Sequence, residues 1–139
     1  MKALRYLPVV LVLLLAACVT STDVHVEGGV TVELDAFSGL PNPTWTLTAA
    51  QHAELERRLR DLPSARDARL PEGGLGYRGF RLTAAGEDGA GRQIYVTSGL
   101  VQIGEAEALL YRDVHGLEAW LREQARVRGY GGALRSSNP

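Results

Sequence analysis

The order of apolar patterns along this chain predicts an α+β fold, a small antiparallel sheet of four to five strands with two helices packed on one face. Three observations carry that expectation. Strand-like alternation recurs in several short runs, helical periodicity appears in two stretches, and glycine-rich turns join neighbouring strands. The expected order is β-α-β-β-β-(β)-α.

The first strand is read from Val30, Val32, Leu34 and Ala36 alternating with Thr31, Glu33, Asp35 and Phe37. Ser38-Gly39-Leu40-Pro41-Asn42-Pro43 then breaks it, and its two prolines bias Leu40 and Asn42 toward extended backbone, giving a stiff loop. Thr48 with Gln51 three residues later forms a capping box that opens a helix over about residues 49–62, stopped by Pro63. His52, Leu55, Leu59 and Leu62 stripe its inner face, and Glu54–Arg58 and Glu56–Arg60 are expected as ion pairs outside.

Residues 64–75 form a long connection. Strand patterns return at Tyr77–Thr83, Arg92–Thr97 and Leu100–Ile103, with Gly86–Gly91 as one turn and Ser98-Gly99 as a two-residue hairpin turn. Ala108–Arg112 fits either a short strand or a helical turn. The second helix is expected from about Val114 to Arg128, capped by Asp113 and ended by Gly129, with Val114, Leu117, Trp120, Leu121 and Val127 turned inward.

At the N-terminus Lys2 and Arg5 precede an apolar run from Leu7 to Leu15, followed by Ala16, Ala17 and Cys18. The run is shorter than the roughly 20 residues a spanning helix needs, and Pro8 interrupts it. Leu15-Ala16-Ala17-Cys18 resembles the lipobox of bacterial lipoproteins at all four positions. The resemblance implies a signal peptide over residues 1–17, removed by a signal peptidase, and a Cys18 acylated on sulfur and on its new amino group. Val19, rather than aspartate, follows the cysteine, which under the enterobacterial sorting pattern implies the periplasmic face of the outer membrane in a Gram-negative host. The expected organisation is therefore a signal over 1–17, a lipidated terminus and tether over 18–28, a single α+β domain over 29–130, and a flexible tail over 131–139.

Composition limits the function classes. The chain has 139 residues, so removal of 17 leaves 122, enough for one domain with one core. Losing Lys2 and Arg5 as well takes the formal charge from −1 to −3, which argues against nucleic acid as a partner. With Cys18 acylated no thiol remains for a disulfide, a thiolate metal site or a nucleophile.

No catalytic, metal or cofactor constellation is legible. The three histidines, His25, His52 and His115, lack a metal-motif spacing, and His25 with Glu27 supplies only two ligands. His52 reads as a core or boundary residue and His115 as part of a helix start. Glu105 and Glu107 read as solvated, and the glycines at 86–91 and 129–132 as turn and tail.

Two segments stand out as a candidate binding surface: Asn42 and Trp45 in and after the double-proline loop, and Tyr77 and Arg78 beside Phe80. Stiff loops and Trp, Tyr and Arg side chains are what interfaces use. The competing reading places Trp45 and Phe80 in the core. Tyr77 and Arg78, nearer a strand edge, are expected to be exposed. Together these observations indicate a lipid-anchored envelope protein, a non-catalytic module that binds an envelope protein or polymer. The alternative is a small envelope-anchored hydrolase whose catalytic residues the sequence does not reveal.

Overall fold

A computed structural model describes residues 29–85, 91–104 and 109–135. The expected signal peptide and tether with Cys18, His25 and Glu27, most of the expected turn at 86–91, Glu105 and Glu107, and residues 136–139 of the expected tail lie outside them. The described chain forms β1 (Val30–Asp35), β2 (Thr44–Thr46), α1 (Ala49–Leu59), β3 (Gly79–Ala84), β4 (Arg92–Thr97), β5 (Leu100–Ile103), β6 (Leu109–Arg112) and α2 (Leu117–Val127). The strands make one antiparallel sheet in the order β2-β1-β3-β4-β5-β6. The fold is thus α+β, with six strands rather than four or five. The extra strand is β2, three residues directly after Pro43, too short to show any alternation.

The alternation expected of the strands sorts the sheet into two faces. Val32, Leu34, Phe80, Leu82, Val96 and Val101 point inward and are almost wholly buried, where they meet Leu55 of α1 and Leu117, Leu121 and Ala125 of α2. Each buried side chain of this kind contributes about 1.5–3 kcal/mol, so this layer is the main source of stability. Ser98 and Gly99 both have positive φ, 51° and 71°, the turn that matches strand twist in a two-residue hairpin. Residues 108–112 resolve as a strand from Leu109 onward, and Pro63–Ala65 extend the sheet beyond it: Arg112 N–H donates to the Pro63 carbonyl and Ala65 N–H to that of Leu110.

α1 starts where expected and ends early, whereas α2 starts three residues later than expected and ends near its expected boundary. Thr48 Oγ1 accepts from Gln51 N–H while Gln51 Oε1 accepts from Thr48 N–H, completing the capping box. α1 stops at Leu59 rather than 62, because Asp61 takes φ 54° and Pro63 forces Leu62 out of helical backbone. Glu54 pairs with Arg58 as expected and also with Arg57, which together draw its carboxyl down to about 2, the Arg57 hydrogen bond contributing most. Glu56 faces His52 at 3.6 Å instead of Arg60.

Asp113 does cap α2, but from further upstream. Its Oδ1 and Oδ2 accept from the N–H groups of Leu117 and Glu118 at 2.7 and 2.8 Å, while Val114–Gly116 loop out and Gly116 turns at φ 66°. Val114 is consequently 57% exposed and Val127 at the far end 77% exposed, so neither belongs to the buried stripe. His115 lies in that loop, its Nε2 at 3.1 Å from the Arg60 carbonyl. Gly129 ends the helix at φ 88°, and Tyr130–Leu134 then form a short 3₁₀ turn whose Leu134 is buried. Packed structure therefore extends past the boundary expected at residue 130.

Candidate functional site

The face of the sheet away from the helices carries the polar half of each strand pattern. Cross-strand pairing aligns Glu33, Arg81, Tyr95 and Gln102 in one row across β1, β3, β4 and β5. Arg81 Nη1 donates to Glu33 Oε1 at 3.0 Å, and its guanidinium lies 5.7 Å from the centre of the Tyr95 ring. Asp35, one residue pair along, is only 8% exposed and is the hub of a network. Its Oδ1 accepts from Arg78 Nε at 2.9 Å, from Arg78 Nη2, and from Asn42 Nδ2 at 3.4 Å. The Tyr95 hydroxyl lies 3.1 Å from the Arg78 carbonyl and 3.4 Å from Asp35 Oδ2.

A glycine makes room for this arrangement. Gly79 sits at φ 151°, and a Cβ there would lie 2.6 Å from the Val96 carbonyl oxygen and 3.1 Å from Tyr95 Cζ. The Tyr95 ring leans across the space that a side chain at residue 79 would fill, as aromatics do over sheet glycines. Burial raises the Tyr95 phenol above its ordinary value, and the Asp35 charge adds to the shift. The Asp35 hydrogen bond likewise raises Arg78, securing its charge.

Asn42 and Arg78 meet at this hub. Asn42 Oδ1 accepts from the Ala36 and Phe37 N–H groups at 3.2 and 3.0 Å, and its Nδ2 also donates to Glu33 Oε1 at 3.0 Å, so one amide folds the 36–43 loop onto the sheet. Arg78 reaches the other way, donating to the Phe37 carbonyl, Ser38 Oγ and the Gly74 carbonyl. It thereby ties the double-proline loop to the 71–76 loop. Both side chains are half-buried, and every polar arm of Arg78 has a partner, in contrast with the exposure expected for it.

Trp45 and Tyr77 sit on the other face. Trp45 meets Phe80 edge-on at 6.3 Å, stacks on Tyr130 at 6.3 Å, and donates its indole N–H to Gln124 Oε1 at 3.3 Å. Tyr77 meets Phe80 from another side at 5.6 Å, donates to Glu118 Oε1 at 2.7 Å, and carries the Arg122 guanidinium 4.0 Å from its ring centre. Burial, then the Glu118 hydrogen bond, raises the Tyr77 phenol well above its ordinary value. The four residues thus divide into two pairs, with Tyr77 and Trp45 packing against the core. Tyr77 is half-buried rather than exposed.

Two concavities meet at Tyr95. One, of about 580 Å³, lies between the 71–75 loop and Asp35, Arg78, Thr97, Glu118 and Arg122. The other, of about 380 Å³, lies between Leu70 and Arg81, Gln93, Tyr95 and Gln102. Asp35, Arg81, Tyr95, Gln93 and Gln102 were not singled out from sequence. Their signal was their position on the outer phase of strands β1, β3, β4 and β5, but strand register decides which of them are neighbours, and register is set by pairing across turns. Among the described residues no three His, Cys, Asp or Glu side chains group as a metal site, and no helix is long and apolar enough to cross a membrane. Searches of family models, curated proteins and solved structures find no match to this chain.

Proposed function

We propose that this chain is a lipid-anchored protein of the bacterial cell envelope whose folded domain is a non-catalytic binding module. Cys18 is its membrane anchor, at the periplasmic face of the outer membrane in a Gram-negative host, and an envelope protein or polymer is its partner. The lipobox-like Leu15-Ala16-Ala17-Cys18 supports the anchor. Two or three acyl chains on one terminus hold firmly where one holds marginally.

The observation that carries the binding reading is the state of the acidic groups on the open face. Asp35 accepts from Arg78 and Asn42, and Glu33 from Arg81 and Asn42. Carboxylates held in this way are fixed in position, and they tie down two loops before any ligand arrives. Preorganisation of that kind reduces the entropy lost on binding.

Cys18→Ser tests the anchor. Metabolic labelling with a fatty-acid probe is expected to mark the wild-type chain and not the variant, and the variant is expected to lose stable membrane association. Equal labelling of both chains would overturn the proposal.

A further inference from the structure

We infer that the concavity between Leu70 and the outer face of β3, β4 and β5 is a saccharide site, an inference that rests on the binding-module reading above. Its volume of about 380 Å³ falls within the range of small-ligand sites. Its lining is electrically quiet, because Arg81 is paired with Glu33 at 3.0 Å. An anionic ligand would compete with Glu33 for Arg81 and would leave that carboxylate with Asn42 alone, without a counter-charge.

The groups left to read a ligand are carboxamides. Gln93 and Gln102 both line the concavity, and no side-chain hydrogen bond joins either to another described residue. A carboxamide donates and accepts at once, as does each hydroxyl of a sugar. Leu70 and the Tyr95 ring supply apolar area for the C–H face of a sugar ring. A peptide fits less well, since β4 and β5 are interior strands whose backbone groups are taken by β3, β5, β4 and β6. Only side chains face the ligand here.

The same chemistry serves an envelope polymer and a free sugar, so the test has two arms. The full-length chain in detergent micelles is titrated with a soluble β-1,4-linked N-acetylglucosamine tetramer, by calorimetry and by NMR of the Gln side-chain amides. It is also co-sedimented with purified peptidoglycan sacculi. Saturable binding in either arm is expected to shift the Gln93 and Gln102 amides. The Gln93→Ala/Gln102→Ala variant should bind about tenfold more weakly or worse, the effect of losing two net hydrogen bonds, with an unchanged melting temperature. The isosteric Gln93→Glu/Gln102→Glu variant, which loses the donors and keeps the shape, should show the same loss. Binding of neither probe, or wild-type affinity in both variants, would overturn the inference. A photo-crosslinking residue at position 102 separates the two levels of failure: capture of an envelope protein without saccharide binding refutes the sugar and leaves the binding module, while capture of nothing refutes both.

Discussion

The two faces of the sheet are built from the same strands, and the contrast between them shows how this chain separates packing from the positioning of its loops. On the inner face Phe80, Leu82, Val96 and Val101 are buried against two helices. Burial is non-directional, so any residue of similar size and polarity serves there with modest loss. On the outer face, Asp35, Asn42, Arg78, Arg81 and Tyr95 engage one another through donors and acceptors of fixed geometry. No replacement of similar size reproduces them. The inner face holds the domain together, and the outer face sets the positions of two loops.

The contrast is most easily broken at its inner side. Phe80 is 0% exposed and lies between Trp45 and Tyr77. Phe80→Ala should cost about 3–5 kcal/mol, read as the shift in urea midpoint, and would leave little of a typical domain's stability. A loss under about 1 kcal/mol would mean that the inner layer is not the core. Gly79→Ala comes next, because it strikes both faces together. Its new methyl meets backbone at 2.6 Å and displaces Tyr95. Overpacking and unfavourable φ together should cost about 2–4 kcal/mol.

Most of the fold was legible in the sequence, and the reasons are local. Alternation in Val30–Ala36 and Arg92–Thr97 and the Thr48–Gln51 capping box depend only on near neighbours, and each reappears in the structure. The helix ends were less legible, because Val114 has the right spacing for the stripe while Asp113 reaches past it to cap from a distance. The outer-face network was least legible. Asn42 and Arg78 stood out by residue type, but what joins them is Asp35, which in sequence is one more polar position in an alternating strand. Their meeting depends on pairing between residues more than 30 apart along the chain, which composition and spacing do not encode. Trp45 and Tyr77 drew attention as aromatics beside loops, yet the inner face needs both.

The smallest expected effect on this comparison is one of pH. Burial and Glu118 hold the Tyr77 phenol above its ordinary pKa of 10.0, so the folded state keeps that proton more firmly than the unfolded chain. The stabilisation is complete below about pH 10 and falls as pH rises beyond it. Urea midpoints should drop from pH 9 to pH 11 in the wild-type chain and drop less in Tyr77→Phe. An identical decline in both would place the alkaline sensitivity elsewhere, with Tyr95 the next candidate.

The central claim is that the outer face fixes the two loops independently of the core, and hydrogen exchange in Arg78→Met tests it most directly. Arg78 joins the loops at Asp35, Phe37 and Gly74, and the Ala36 and Phe37 amides depend on Asn42 in the same network. The substitution keeps much of the apolar stem and removes the charge, at a cost of about 1–3 kcal/mol for leaving the Asp35 acceptor without its main donor. Exchange at Ala36 and Phe37 should quicken about tenfold more than exchange at Val96 and Leu121, whose protection falls only by the loss of global stability. Uniform quickening of all four amides, or none at Ala36 and Phe37, would contradict the account.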